Sequence, residues 1–494
     1  MRKILPFTPI LYLVVLLFQV DLGMIEDLGR HLKMGEIILA THHIPDINLF
    51  SWRAEHFQIV NHEWLTQVLF YLVFDLFGYE GLLILKMILV LGAFGIMYLL
   101  ALKKYSSFWV SVVGIFCIAV FASRFRVRPE LVSYLFMALL YFLFDKFSTT
   151  RNIRWLYFLP LIMMLWVNMH IFFGLGLFMI GVFMLENYLN TKKFDKKLFA
   201  ICVISGLGTL LNPSGINGVL LPFTIFQNYN FVVEENHSPF KIFSTTSGFV
   251  YTLLMQVYLF EILAVMTIIG SLFILKKKNI LYPVNGIVNA ILGLRMVRNI
   301  SLLGIAGFFP LIEIFSGIEK KLGSEGRKKI MRASFVLFAV VFVCFHIKGL
   351  FENKIFSFSF RTYAENGSKF FVDNKIDGPI FNNYMIGNHL IFWLYPENHV
   401  FVDARPEAYP GNFFDEYNRM LTDGEFFDAQ TEKFGINAVV MGVQDDPNII
   451  RPFMLRLIQN PNWVPVYADG NISILVKNSE NNKEVISKYG IIPR

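Results

Sequence analysis

WLTQVLFYLVFDLFGYEGLLILKMILVLGAFGIMYLLALKK, residues 64 to 104, holds two apolar runs, 64 to 77 and 81 to 102. Whether the first of them crosses a membrane decides the topology of the whole chain. If it crossed, every later loop would change side and the lysine-bearing connections would end up outside, against the bias of cytoplasmic loops toward Lys and Arg. Residues 64 to 77 are therefore expected to form a juxtamembrane or re-entrant helix on the outer face, ended by Gly78. Residues 81 to 102 cross and meet Lys103-Lys104 on the inside.

The rest of the chain fits this frame. Of 494 residues, 55% are apolar and 16% charged, 53 are Phe, and the mean hydropathy is +0.53, outside the usual range of soluble domains. Long Phe/Leu/Ile runs recur from residue 4 to residue 349, each bounded by a short polar or basic stretch, as in a protein that crosses a bilayer repeatedly. The net charge of +7 sits in short connections between apolar runs, which points to membrane orientation and to no nucleic-acid partner. Cys117, Cys202 and Cys344 lie in apolar segments without the spacing of a zinc site or disulfide framework. Arg2-Lys3 followed by Ile4 to Val20 resembles a signal peptide but lacks a small-residue cleavage site, so it is expected to stay as the first helix.

Six basic stretches alternate with outer loops: Arg2-Lys3, Lys103-Lys104, Lys146 with Arg151 and Arg154, Lys192 to Lys197, Lys276 to Lys278, and Lys320 to Arg332. The expected fold class is an α-helical polytopic membrane protein with about eleven transmembrane helices and a C-terminal soluble α/β domain. The helices run roughly from 4 to 22, 81 to 102, 107 to 123, 129 to 146, 155 to 169, 171 to 189, 198 to 211, 250 to 275, 281 to 294, 299 to 317 and 333 to 349. The odd number puts the N-terminus in the cytoplasm and the C-terminus outside a plasma (inner) membrane. The domains implied are 1–350, carrying a first outer loop at 23–80, and an extracytoplasmic 351–494.

In this register the outer loops hold Asp27, Arg30, His31, His62, Glu63, Arg124, Arg126, Arg128, Glu130, Asn168, His170, Asn212, Glu234, Glu235, His237, Arg295 and Arg298. Ionisable groups at a membrane are costly and tend to mark a substrate path, although arginines near helix ends also snorkel to headgroups. In the first outer loop, Leu28, Leu32, Ile37 and Ile38 recur near helical spacing, the pattern of an amphipathic helix lying on the membrane surface. Asp27 falls in its first turn, where a carboxylate also suits the helix dipole as a cap.

Several stretches together resemble a known group. Asp27 to Gly35 reads Asp-x-x-x-His-Leu-x-x-Gly, and His62 to Leu65 reads His-Glu-Trp-Leu. Arg128-Pro129-Glu130, Trp166-Val-Asn168-Met-His170, Asn212-Pro213, Arg298-Asn299 and Asp403-Ala-Arg405 follow in order. The chain is similar to a set of bacterial multi-pass membrane proteins and, more broadly, to GT-C-fold glycosyltransferases of the protein mannosyltransferase and aminoarabinose transferase group. That resemblance implies inverting transfer from a polyprenyl-phosphate sugar donor to a glycan, lipid or protein acceptor, with Asp27 as catalytic base. Leu28 and Gly29 stand where the closer set has aromatic residues.

Such a transfer needs a carboxylate to take the acceptor's proton and cations to hold the departing phosphate. Arginine suits phosphate through its two-pronged donor geometry. The run Arg124-Phe-Arg126-Val-Arg128, with Arg295 and Arg298, is the expected clamp; contact with membrane lipid headgroups is the alternative. The full expected substrate-binding set is His31, His62, Glu63, Arg126, Arg128, Glu130, His170, Arg295 and Arg298. Asp, Glu and His also suit a divalent metal, but no ligand spacing requires one.

From about Ser357, short apolar runs predict a small α/β domain, with strands at 379–381, 399–402, 438–441 and 464–476 turning at Asp469-Gly470-Asn471, and helices at 411–433 and 449–459. Asp403 and Arg405 either reach toward substrate or form an internal ion pair. Two other functions remain in view: a lipid-linked glycan polymerase or ligase, expected to use a later, larger outer loop, and a transporter or flippase, expected to carry charges inside helices and matching broken segments in two halves.

Overall fold

The computed structural model describes residues 5–18, 24–226, 231, 233–241, 251–275, 279–352, 364–443, 445 and 447–491. The basic stretches Arg2-Lys3 and 276–278, the ends of the first expected helix and the domain boundary near Ser357 lie outside the described residues. Internal contacts divide the chain into two units. One comprises Met1–Val20, Glu80–Gly215 and Val233–Ser359; the other comprises Asp21–Tyr79, Ile216–Val232 and Phe360–Arg494. The first outer loop, placed by sequence with the transmembrane segment, thus packs with the C-terminal residues.

The chain is a multi-pass membrane protein. Among the described residues, six helices are long and apolar enough to cross: Trp64–Lys104, Ser107–Arg124, Glu130–Thr150, Phe173–Thr191, Leu254–Ile274 and Glu325–Glu352. Shorter apolar helices occur at Leu5–Leu17, Ile153–Val167 and Gly215–Thr224. The expected run 299–317 is a broken element, Val297–Ala306 and Phe308–Lys321 meeting at 58°. Within Trp64–Lys104, Gly78 has φ 62° and ψ −154°, a backbone state that L side chains resist. One helix therefore ends where the sequence places its end, and the unit boundary follows at Tyr79.

The second unit is built on a four-stranded sheet: β1 Ile380–Asn382, β2 Ala438–Gly442, β3 Trp463–Ala468 and β4 Ile472–Lys477, in the order β1-β2-β4-β3. β1 runs parallel to β2, and β4 is antiparallel to both of its neighbours. The β3–β4 turn has Gly470 at φ 83°, with the Asp469 carboxylate accepting from the amides of Asn471 at 2.9 Å and Ile472 at 3.1 Å. Residues 399–402 do not form the expected strand; Val400 makes one parallel bridge, to Ser51. The expected helix 411–433 is two, Phe413–Thr422 and Gly424–Phe434, because Asp423 turns out of the first and caps the second, accepting from the Phe426 amide at 3.0 Å.

The first outer loop shares this domain's core. Its helix Gly29–Thr41 forms as expected, but Leu28, Leu32 and Ile38 are buried by protein, so the apolar stripe is not left for the membrane surface. Met34, Ile38 and Phe50 cluster with Leu390, Ile391, Leu394 and Val400, and the Trp52 indole donates to the Ile380 carbonyl at 2.9 Å. Gly35 lets the loop's two helices touch: a Cβ there would run into the Gln67 carbonyl oxygen and lie 2.7 Å from Tyr71 Cβ. Gly35→Ala is expected to cost about 1–3 kcal/mol by forcing them apart, read as a lower Tm in detergent.

Candidate functional site

Asp27 lies in a π-helical turn, Met24–Leu28, that leads directly into Gly29–Thr41. Helical spacing brings Arg30 to 3.9 Å from its carboxylate. From helix Gly387–Leu394, Asn388 donates to the Glu26 carbonyl oxygen and places its amide 3.5 Å from Asp27 Oδ1. The Asp27 side chain keeps 26% of its surface open, which a proton acceptor for an incoming hydroxyl requires.

Glu63 sits between two imidazoles, 3.8 Å from His31 and 3.6 Å from His62. His31 is buried, with its ring edge-on to Phe70. Burial pushes the His62 pKa down, but the Glu63 carboxylate beside it, with Glu407 farther off, outweighs this and holds the imidazole above its ordinary range. Glu63 is thus the neighbouring charge that favours the protonated form of His62. Among the described residues no group of three or more His, Cys, Asp or Glu side chains is arranged to hold a metal.

Asp403 and Arg405 form an internal pair. The Arg405 Nε and one terminal nitrogen donate to the two Asp403 oxygens at 2.8 and 2.7 Å, and the Tyr409 hydroxyl donates to the same carboxylate at 3.0 Å. Both charged side chains are buried. Arg405 also donates to Asn48 of the first outer loop at 3.1 Å.

The first unit carries a second polar cluster. Arg124 meets Glu130 in bidentate fashion, at 2.8 and 3.2 Å, and donates a further bond of 2.6 Å to Glu235 Oε2. Arg128 reaches the same oxygen at 3.3 Å, and Arg298 stands 4.0 Å from Glu235 Oε1 while donating to Asn236 at 3.2 Å. Burial would raise the Glu235 pKa, but Arg124, Arg128 and Arg298 hold its carboxyl well below the usual carboxylate range. Nearby, the Ser133 hydroxyl lies 2.9 Å from His170 Nδ1 and accepts from Trp166 at 2.8 Å.

The ten expected site residues thus fall in two groups. Asp27, His31, His62 and Glu63 belong to one unit; Arg128, Glu130, His170 and Arg298 belong to the other. Arg126 and Arg295 are exposed. Arg124, noticed in the sequence only as part of a run, is the arginine that joins both carboxylates. Asn388 left no local signal, since its partner is 361 residues away. Lys86 did leave one: it is a charge within the apolar run 81 to 102 and is fully buried, and such residues mark function in membrane helices.

No family model matches the sequence, and no curated protein does. Solved structures do. The crystal structure of ArnT from Cupriavidus metallidurans bound to undecaprenyl phosphate is similar at 10% identity and a TM-score of 0.54, over 95% of this chain and 98% of that one. The apo oligosaccharyltransferase of Archaeoglobus fulgidus matches at 10% identity and a TM-score of 0.57, over 96% and 75%. ArnT in the apo state matches at 12% identity and a TM-score of 0.51, over 94% and 97%. The fold is that of GT-C glycosyltransferases.

Proposed function

We propose that this chain is an inverting glycosyltransferase that moves a sugar from a polyprenyl-phosphate donor to an extracytoplasmic glycan, lipid or protein acceptor. The observation that carries the reading is the gathering of Arg124, Arg128 and Arg298 around one anion, in a chain whose fold is shared with an ArnT bound to undecaprenyl phosphate. In this reading the guanidiniums take the donor's phosphate and stabilise it as the bond to the anomeric carbon breaks. Asp27 takes the proton of the attacking hydroxyl, so that the new glycosidic bond forms opposite the departing phosphate. Arg30 and Asn388 orient that carboxylate, and His31, His62 and Glu63 line the acceptor side.

The binding test uses Arg128→Gln with Arg298→Gln. Each charge-assisted bond to phosphate contributes roughly 1.5 to 3 kcal/mol, so the double variant is expected to bind undecaprenyl phosphate at least about a hundredfold more weakly. Lys at the two positions should rescue only partly, because it lacks the fork. Unchanged affinity would return both arginines to lipid-headgroup contacts.

We also propose that the N-terminus is cytoplasmic and residues 351–494 lie outside, from the placement of the basic stretches. After replacement of Cys117, Cys202 and Cys344, a cysteine at Asn366 is expected to react with an impermeant thiol reagent in intact cells and one at Asn279 to stay unlabelled. Labelling at Asn279 alone would invert the map.

A further inference from the structure

Three guanidiniums closing on a carboxylate from their own chain leave a question that phosphate binding alone does not answer. The two acids described in this cluster, Glu130 and Glu235, are not equivalent. Glu130 is 3% exposed and takes both prongs of Arg124, as a permanent counter-ion would. The Glu235 side chain keeps 28% of its surface open and rides on a short 3₁₀ turn, Glu234–Asn236. The turn is held by the Asn236 amide donating to the Val233 carbonyl and the Val297 amide donating to the His237 carbonyl, both at 2.9 Å. Arg124 and Arg128 share Oε2 of Glu235 while Arg298 faces Oε1.

Those two oxygens bear one negative charge between them, as do the two non-bridging oxygens of a phosphodiester. Exchanging the carboxylate for the donor's phosphodiester keeps the local charge unchanged and offers the arginines the same bidentate geometry, and a free polyprenyl phosphate, a monoester, brings up to one further negative charge to the three guanidiniums. We infer that Glu235 is a built-in surrogate for the donor phosphate: it fills the arginine site in the empty protein and is displaced, with its turn, when a polyprenyl phosphate or phosphosugar enters. The inference rests on the phosphate-clamp reading and adds to it a competitor that sets donor affinity. The surrogate lowers the mutual repulsion of three clustered cations between turnovers and excludes anions that cannot also bring a polyprenyl tail to offset its release.

The test measures binding of undecaprenyl phosphate, undecaprenol and inorganic phosphate to the full-length protein in nanodiscs, together with hydrogen exchange. Glu235→Gln is expected to bind undecaprenyl phosphate about tenfold to a hundredfold more tightly, the value of one charge-assisted bond no longer lost on entry. Inorganic phosphate should gain likewise from a weaker start, and undecaprenol should not change. In the wild type, undecaprenyl phosphate is expected to speed exchange in residues 233–238 and at the Val297 amide, the reverse of the protection that a ligand closing over an intact turn would give.

Should Glu235→Gln fail to fold, Glu235→Asp keeps the charge but shortens the reach, and a smaller gain in affinity is expected. Weaker or equal binding in Glu235→Gln or Glu235→Asp, or protection of 233–238 on binding, overturns the surrogate role. If Arg128→Gln loses affinity in the same assay, the clamp survives that failure; if Arg128→Gln binds normally, both ideas fall together.

Discussion

Asp27→Asn is expected to turn over about 10²- to 10⁴-fold more slowly than the wild type, the usual contribution of a positioned general base. Lipid-phosphate binding and thermal stability should stay close to wild type. Asn fills the same volume and can still accept from the Asn388 amide. The ion pair to Arg30 is long, at 3.9 Å, and the Asp27 side chain is a quarter exposed, so its loss costs little stability. What disappears is the proton acceptor. Glu63→Gln is the matched comparison: with an imidazole on either side of it, that carboxylate is poorly placed to take a further proton, and the variant should raise KM more than it lowers kcat. A well-folded Asp27→Asn protein with near-normal turnover, alongside a Glu63→Gln protein that has lost it, would transfer the base role to Glu63.

Arg405→Met should be the most damaging change in the second unit. It would leave the Asp403 carboxylate buried with the Tyr409 hydroxyl as its remaining donor among the described residues, and stranding one half of a buried ion pair costs about 3–5 kcal/mol. Asp403→Leu combined with Arg405→Met should recover most of that loss, since an apolar pair of similar volume can replace a buried salt bridge. The damage should also reach activity, because Asn48 of the first outer loop bonds both Arg405 and, at 3.0 Å, the Ala408 carbonyl oxygen. An Arg405→Met protein that melts at the wild-type temperature would show that the pair contributes nothing to the fold.

The membrane-spanning part was legible because it depends on length and hydropathy, which are local, and because Gly78 announces its own backbone state. The break at Gly307 was not, since seven and fourteen helical residues on either side of it make one continuous apolar run. The first outer loop shows the same limit. Leu28, Leu32 and Ile38 gave the helix and its apolar stripe, but a stripe does not say what covers it, and here Ile38 packs among residues of the C-terminal domain. Among the site residues, the arginine run gave the chemistry but not the choice of members: helix ends turn Arg124 and Arg128 inward and leave Arg126 exposed. Asn388 was beyond reach, because only the folded chain brings it to Asp27.

That last contact sets a clock. Ribosomes add about 5–20 residues per second, and Asn388 follows Asp27 by 361 positions, so roughly 20 to 70 s of synthesis separate the acid from the residue that orients it. The sheet beneath them finishes later still, with β4 at Ile472–Lys477. Throughout that interval the acid is without its Asn388 contact. With Asp27 as the proposed base, the nascent chain is therefore expected to be inactive in transfer until its last hundred residues emerge, although the arginines proposed to bind the donor are already made.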